Sequence, residues 1–139
     1  MNRVLIIEDE MITAESVKEA LALDDISADI AVDGKSGLEK FNTNNYDLIL
    51  LDLKMPGLSG EEVLSEIRKQ DPFVDVIIYT NYKDFADIKK LTNIGIEGYI
   101  NKGPKSELSE LVDAVKEKLA PLNDEVIATL LKDVPDTEE

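Results

Sequence analysis

Apolar residues in this chain form short continuous runs that alternate with longer segments of helical periodicity. Uninterrupted runs at residues 4–7 and 48–51 are typical of strands buried on both faces of a sheet. Residues 74–80, which are rich in Val and Ile, predict a third strong strand. Residues 28–32 and 99–100 predict two weaker strands. The pattern therefore predicts five strands, each separated from the next by a helix-sized segment.

The segments between the strands carry apolar residues at helical spacing and recognisable start signals. Asp33 is a predicted helix N-cap, and Ser59 with Glu62 predicts a capping box. Pro104 fits the first turn of a last helix. The predicted apolar faces are Ala14, Val17, Ala20 and Leu21 in helix one (residues 11–23), Leu38 and Phe41 in helix two, Val63, Leu64 and Ile67 in helix three, Phe85, Ile88 and Leu91 in helix four, and Leu108, Leu111, Val112, Val115 and Leu119 in helix five.

Regular alternation of strand and helix, joined by short connections, predicts an α/β domain with a parallel sheet covered by helices on both faces. The 139 residues suit one domain, which we place at residues 1–120. Residues 121–139 form a predicted extension, with a short apolar stripe at Val126, Ile127, Leu130 and Leu131 and an acidic tail. The stripe packs on its own domain or binds a partner, and the tail is alternatively the start of a linker.

Charge and missing residue types restrict the chemistry. The formal net charge of −15 disfavours direct binding to nucleic acid or to anionic membranes. The sequence has neither Cys nor His, so any metal is expected to be a hard cation bound by oxygen. No apolar run approaches the ~20 residues of a membrane helix, and residues 4–7 are too short for a signal peptide. The expected compartment is the cytoplasm.

Polar residues follow the predicted strands where parallel sheets bind ligands. Glu8 and Asp9 follow strand one, Asp52 follows strand three, Thr80 ends strand four and Lys102 follows strand five. With strand order 2-1-3-4-5 these residues converge on one edge, although the apolar pattern alone does not establish that order.

This set of side chains suits phosphoryl transfer. Three neighbouring carboxylates repel one another unless a cation such as Mg²⁺ lies between them. An Asp carboxylate can attack a phosphoryl group, and the Lys102 ammonium and Thr80 hydroxyl suit the charge on the phosphoryl oxygens.

With these residues in order, the chain resembles the receiver domains of two-component response regulators from about residue 3 to residue 119. The resemblance rests on Glu8-Asp9, Asp52 with Met55-Pro56-Gly57 behind it, Thr80, Tyr99 and Lys102. It implies a doubly wound five-stranded parallel sheet of order 2-1-3-4-5.

The resemblance also implies a role for each residue. Asp52 would be the phosphoacceptor, and Mg²⁺, or alternatively Mn²⁺, would be bound by Glu8, Asp9, Asp52 and the backbone carbonyl of Lys54. Lys102 would bind the phosphate, while Thr80 and Tyr99 would act as switch residues.

The implied partners are proteins. A histidine kinase or histidine phosphotransfer protein would supply the phosphate, and an output partner would bind the face of helix four, strand five and helix five. The chain would be a monomer or a homodimer formed on phosphorylation, and a signalling module rather than a metabolic enzyme.

Two departures from the family pattern affect the expected site. Asn81 and Tyr82 follow Thr80, where the family usually has a small residue first, and we expect them to slow loss of phosphate by narrowing access to Asp52. Gly103 follows Lys102 where the family often has Pro after a cis bond. We therefore expect either a trans Lys102–Gly103 bond or local strain that Gly tolerates.

Simpler interpretations remain for each feature. Acidic residues favour helix starts, which would account for Glu8 and Asp9. Asp52 would also suit a turn, and Thr80, Tyr99 and Lys102 would suit structural or surface positions. Two functional alternatives also remain: a receiver that only scaffolds partners, and a Mg²⁺-dependent phosphatase that uses Asp52.

Overall fold

The computed structural model describes residues 2–81, 85–102 and 107–120, without the side chains of residues 85–87 and 107. Strands and helices alternate throughout these residues, as the apolar pattern predicts. The elements are β1 (Arg3–Ile7), α1 (Met11–Ala22), β2 (Ser27–Ala31), α2 (Gly34–Thr43), β3 (Leu48–Leu51), α3 (Gly60–Gln70), β4 (Asp75–Thr80), α4 (Phe85–Ile94), β5 (Gly98–Asn101) and α5 (Glu107–Leu119).

The five strands form one sheet in the order β2-β1-β3-β4-β5, and every neighbouring pair is parallel. This confirms the doubly wound α/β fold implied by the resemblance. β3 lies at the centre, while β2 and β5 are edge strands. Ile7 is in register with Ala31 on one side and with Leu51 on the other, so β1, β2 and β3 end at the same level.

The core consists of two apolar layers separated by the sheet. Alternate residues of β3 point to opposite faces, with Leu48 and Leu50 in one layer and Ile49 and Leu51 in the other. The first layer packs against α1 and α5, and the second against α2, α3 and α4. All four β3 residues are buried, which explains why this strand is continuously apolar.

The predicted starts of α2 and α3 are confirmed by their hydrogen bonds. The Asp33 carboxylate accepts from the Ser36 N–H at 2.8 Å at the start of α2. At α3, Ser59 Oγ accepts from the Glu62 N–H, and the Glu62 carboxylate accepts from the Ser59 N–H. This reciprocal pair is a capping box, which satisfies two backbone donors and fixes where α3 begins.

Several element ends differ by one or two residues from the predicted ones. α1 ends at Ala22 rather than at Leu23, because Leu23 is 87% exposed and contributes nothing to the core. β2 covers residues 27–31 rather than 28–32, since Val32 lies beyond the last residue paired with β1. β4 starts one residue later than predicted, and β5 extends one residue further at each end.

Some expectations lie outside the described residues. These are the placement of Pro104, the geometry of the Lys102–Gly103 bond, the position of Tyr82, and the extension at residues 121–139 with its apolar stripe. Within the residues that the structure does describe, no helix is long and apolar enough to cross a bilayer.

Candidate functional site

The carboxyl ends of the strands bring the predicted site residues to one edge of the sheet. Asp9, Asp52, Thr80 and Lys102 line a common cleft of about 240 Å³, together with Glu10, Lys54 and Asn81. Glu8 is buried and forms an ion pair with Lys102, one of the residues that line this cleft. The predicted convergence of these elements is therefore confirmed.

Asp52 is held in place by its own backbone and by the turn that follows it. Its N–H donates to the Ile7 carbonyl at 3.0 Å, which ties the residue to the end of β1. The Lys54 N–H donates to Asp52 Oδ1 at 3.3 Å. The Asp52 side chain is buried and faces the cleft, so its carboxylate is a fixed and shielded oxygen donor.

Two glycines shape the segment between Asp52 and α3. Gly57, after Pro56, has φ +83°, a left-handed conformation that glycine adopts without steric cost. Gly60 begins α3, where an added Cβ would lie 2.7 Å from the Leu53 Cα and 3.0 Å from the Asp52 carbonyl oxygen. The close approach of α3 to the backbone of Asp52 therefore requires glycine at this position.

Lys102 reaches across the site from the end of β5. Its N–H donates to the Thr80 carbonyl at 2.9 Å, which fixes the start of the side chain. Its ammonium forms an ion pair with Glu8 and lies 3.1 Å from Asp52 Oδ2. Burial would lower the pKa of Lys102, but the hydrogen bonds and charges of the two carboxylates outweigh burial and raise it. The ammonium therefore stays charged at neutral pH.

Glu8 is an unusual carboxylate because only 3% of the residue is exposed. Burial raises the pKa of Glu8 from 4.5 to about 7, and the nearby Asp52 charge adds to this, although Lys102 and the Glu10 N–H oppose it. An additional cation beside Glu8 would reverse this effect by favouring the ionised form.

The carboxylates of Glu8, Asp9 and Asp52 form a group that suits such a cation. Each offers one oxygen, and these oxygens lie within 4.8 Å of one another. A donor set made only of oxygen fits a hard cation such as Mg²⁺. Lys54, whose backbone carbonyl is the further ligand implied by the resemblance, also lines this cleft.

The two predicted switch residues lie in different surroundings. Thr80 is buried at the end of β4 and lines the cleft with Asp52. Tyr99 is half-buried in β5, in register with Ile78 of β4, and packs against the apolar layer of α2, α3 and α4. Burial raises the pKa of the Tyr99 hydroxyl. The structure thus brings Thr80 to Asp52 but places Tyr99 among apolar residues outside the cleft lining.

Two residues at the site escaped the reasoning from sequence. Glu10 Oε1 lies 3.7 Å from the Lys102 ammonium, and this ammonium lies 5.6 Å from the centre of the Tyr79 ring. A third acidic residue directly after Glu8-Asp9 was a visible signal for Glu10. Nothing in the sequence pattern distinguished Tyr79 from the other residues of a buried strand.

Comparison with known proteins agrees with this geometry. A family model described as the response regulator receiver domain matches residues 4–116. Response regulator ArlR of Staphylococcus saprophyticus is 37% identical over 119 residues, which cover 86% of this chain and 53% of that protein. Transcriptional regulatory protein DltR of Streptococcus agalactiae is 37% identical over 100 residues, covering 72% of this chain and 45% of that protein. The chain spans about half the length of these two curated relatives.

Solved structures give the same result. A CheY-like response regulator receiver domain protein from Methanospirillum hungatei superposes with a TM-score of 0.81 at 29% identity, covering 93% of this chain and 98% of that one. Response regulator TrrA from Thermotoga maritima, solved in complex with Mg²⁺-BeF, superposes with a TM-score of 0.76 at 36% identity, covering 86% of this chain and 100% of that one. The chain therefore belongs to the family of response regulator receiver domains.

Proposed function

We propose that this chain is a phosphorylation switch that accepts a phosphoryl group on the carboxylate of Asp52. The observation that carries the proposal is the buried carboxylate at the end of the central strand, opening into a cleft that it shares with Asp9, Thr80 and Lys102. The likeness to TrrA, whose structure holds Mg²⁺-BeF, supports the same interpretation.

In the proposed transfer, an oxygen of Asp52 attacks the phosphorus of a phosphohistidine on a histidine kinase or phosphotransfer protein. The phosphorus–oxygen bond forms while the phosphorus–nitrogen bond breaks, and the electron pair of that bond stays on the donor imidazole. Because this chain has no His, the phosphohistidine lies outside it. The exchange takes place in the cytoplasm in this proposal.

The neighbouring side chains orient the reacting groups and stabilise charge. Lys102, already 3.1 Å from Asp52, turns from the carboxylate to the phosphoryl oxygens, and the Thr80 hydroxyl donates to one of them. Glu8, Asp9, Asp52 and the Lys54 carbonyl would bind Mg²⁺ or Mn²⁺. When bound, this cation supplies positive charge that stabilises the phosphoryl oxygens during transfer.

The phosphorylated state then biases an existing equilibrium between two conformations. When Thr80 is drawn to the phosphate, Tyr99 moves inward, and the surface of α4, β5 and α5 changes its fit to an output partner. The chain acts alone or forms a homodimer in the phosphorylated state. We propose residues 1–120 as the switching domain and 121–139 as an extension or linker. Turnover of metabolites is not part of this function.

The test is Mg²⁺-dependent labelling with acetyl phosphate, followed by intact mass. The wild type should gain one phosphoryl group, and Asp52→Asn should gain none. Asp47→Asn is the matched control. Asp47 is exposed and directly precedes β3, at the end of that strand opposite to Asp52. This variant should be labelled like the wild type.

Other outcomes would support the alternative functions. Steady hydrolysis of p-nitrophenyl phosphate that depends on Asp52 would indicate a phosphatase. If the wild type gains no phosphate and beryllofluoride leaves the amide NMR signals of the cleft unchanged, the chain is a scaffold and the proposal is wrong.

A further inference from the structure

Glu10 directly precedes α1, but its side chain does not cap that helix. Its backbone is extended (φ −87°, ψ 103°), and the carboxylate accepts no hydrogen bond from the first turn of α1. Helix N-caps favour the short side chains of Ser, Thr, Asp and Asn, which reach these donors more readily than Glu does. The start of α1 therefore makes no use of the Glu10 carboxylate.

The carboxylate instead points into the cleft. Oε1 of Glu10 lies 3.7 Å from the Lys102 ammonium, and Glu10 lines the cleft together with Asp52. Its backbone N–H donates to Glu8 Oε2 at 3.1 Å, which holds the residue beside the site. Whereas the side chain of Glu8 is buried, that of Glu10 is 63% exposed, so its charge faces anything that enters the cleft.

A phosphoryl donor must bring negative charge to the same ammonium that Glu10 contacts. The Glu10 carboxylate repels that charge and competes with the phosphoryl oxygens for Lys102. We propose that Glu10 is a specificity-determining residue that makes the site discriminate against the more highly charged of two small phosphoryl donors. This inference rests on the proposed phosphorylation of Asp52 and adds a charge filter to it.

The experiment compares two donors that differ in charge. Near pH 7 acetyl phosphate carries one more negative charge than phosphoramidate. Labelling rate constants for both donors are measured at saturating Mg²⁺. The saturating concentration is determined separately for each variant, so that a change in metal affinity does not affect the rate constants. The variants are Glu10→Gln, which removes the charge, Glu10→Asp, which keeps it, and Glu15→Gln. Glu15 is exposed on α1 and is not among the residues lining the cleft.

Glu10→Gln should raise the ratio of the acetyl phosphate rate to the phosphoramidate rate about fivefold, the effect of one charge pair in a solvated site. Glu15→Gln should keep the wild-type ratio. Glu10→Asp, whose shorter carboxylate suits the N-cap of α1 and is drawn away from Lys102, should give a ratio between those of the wild type and Glu10→Gln. The gain should shrink between 0.1 and 1 M salt, because the screening length falls from about 10 Å to about 3 Å.

An unchanged ratio in Glu10→Gln, with the wild type labelled on Asp52, would overturn the charge filter and leave the proposed function intact. An equal gain for both donors, or the same change in Glu15→Gln, would also overturn it. Absence of labelling in the wild type by either donor would overturn both proposals.

Discussion

The Nζ atom of Lys102 lies 3.1 Å from Oδ2 of Asp52, and the same ammonium forms an ion pair with Glu8. One cation from the end of β5 thus partly neutralises two buried carboxylates that follow β1 and β3. Because burial of an uncompensated charge is costly, this contact stabilises the fold as well as preparing the proposed chemistry.

We expect Lys102→Met to lower the free energy of unfolding without Mg²⁺ by about 1–3 kcal/mol, because two buried carboxylates lose their cationic partner. Added Mg²⁺ should recover part of the loss, since it binds only the folded site. Urea unfolding followed by circular dichroism measures both effects. The matched control is Lys116→Met, which removes an exposed pair with Asp24 and should cost less than about 1 kcal/mol. Equal losses in the two variants would contradict the role assigned to Lys102.

Binding of Mg²⁺ should depend on pH through Glu8. The pKa of Glu8 is raised from 4.5 to about 7, so without metal the folded state binds this proton more tightly than the unfolded chain does. The resulting stability is fully present below pH 4.5 and is lost as the pH rises through about 7. Because Mg²⁺ competes with the proton, its apparent affinity should fall by up to about tenfold per pH unit below pH 7.

Isothermal titration calorimetry at several pH values measures this dependence. Glu8→Gln should bind Mg²⁺ more weakly and with a flatter pH profile. If the Mg²⁺ affinity of Glu8→Gln changed with pH as steeply as that of the wild type, between about pH 5 and about pH 7, Glu8 would not be the titrating group.

The close approach at Gly60 predicts that Gly60→Ala displaces the backbone of Asp52. An added methyl group at 2.7 Å from the Leu53 Cα should cost about 1–3 kcal/mol and slow phosphate incorporation. Gly57→Ala is the comparison, since no atom lies within 4 Å of its Cβ position but its φ is +83°. It should cost about 1–2 kcal/mol through backbone strain. Unfolding curves and labelling rates separate the two effects, and a normal labelling rate in Gly60→Ala would refute the displacement.

Asn81 is exposed and lines the same cleft as Asp52, and we expect its side chain to restrict the approach of water to a phosphorylated Asp52. We expect Asn81→Ala to shorten the lifetime of the phosphorylated protein severalfold. Loss of phosphate is followed by intact mass after the donor is removed. Asn93→Ala, an exposed change on α4 that is not part of the cleft lining, should leave the lifetime unchanged. The same lifetime in Asn81→Ala as in the wild type would show that Asn81 does not restrict water.

The elements of this fold were predictable because burial on both sheet faces leaves a continuous apolar run, as in β3. The ends of the elements were less predictable. Leu23 and Val32 are apolar like the residues before them, yet both are exposed, Leu23 after the end of α1 and Val32 after the last residue of β2 that pairs with β1. The strand order came from the family resemblance, since any order of these strands would bury the same runs.

The site was predictable to the extent that its residues directly follow strands, as Glu8, Asp9, Asp52 and Lys102 do. Contacts that depend on the direction of a side chain could not be predicted from the sequence. That Glu10 turns to Lys102 instead of capping α1, and that the Tyr79 ring lies beside the same ammonium, follows from packing in three dimensions.

The strand order gives the two sides of the site unequal freedom. Asp52 follows the central strand, whose backbone is hydrogen-bonded to β1 and to β4. Tyr99 lies in β5 and Lys102 directly follows it, and β5 is paired on one side only. Moving Asp52 would disturb the hydrogen bonds of β3 to both β1 and β4, whereas moving β5 would disturb only its hydrogen bonds to β4. Asp52, the proposed acceptor, is therefore expected to stay fixed, and a conformational change caused by its phosphorylation is expected to appear at the edge strand β5.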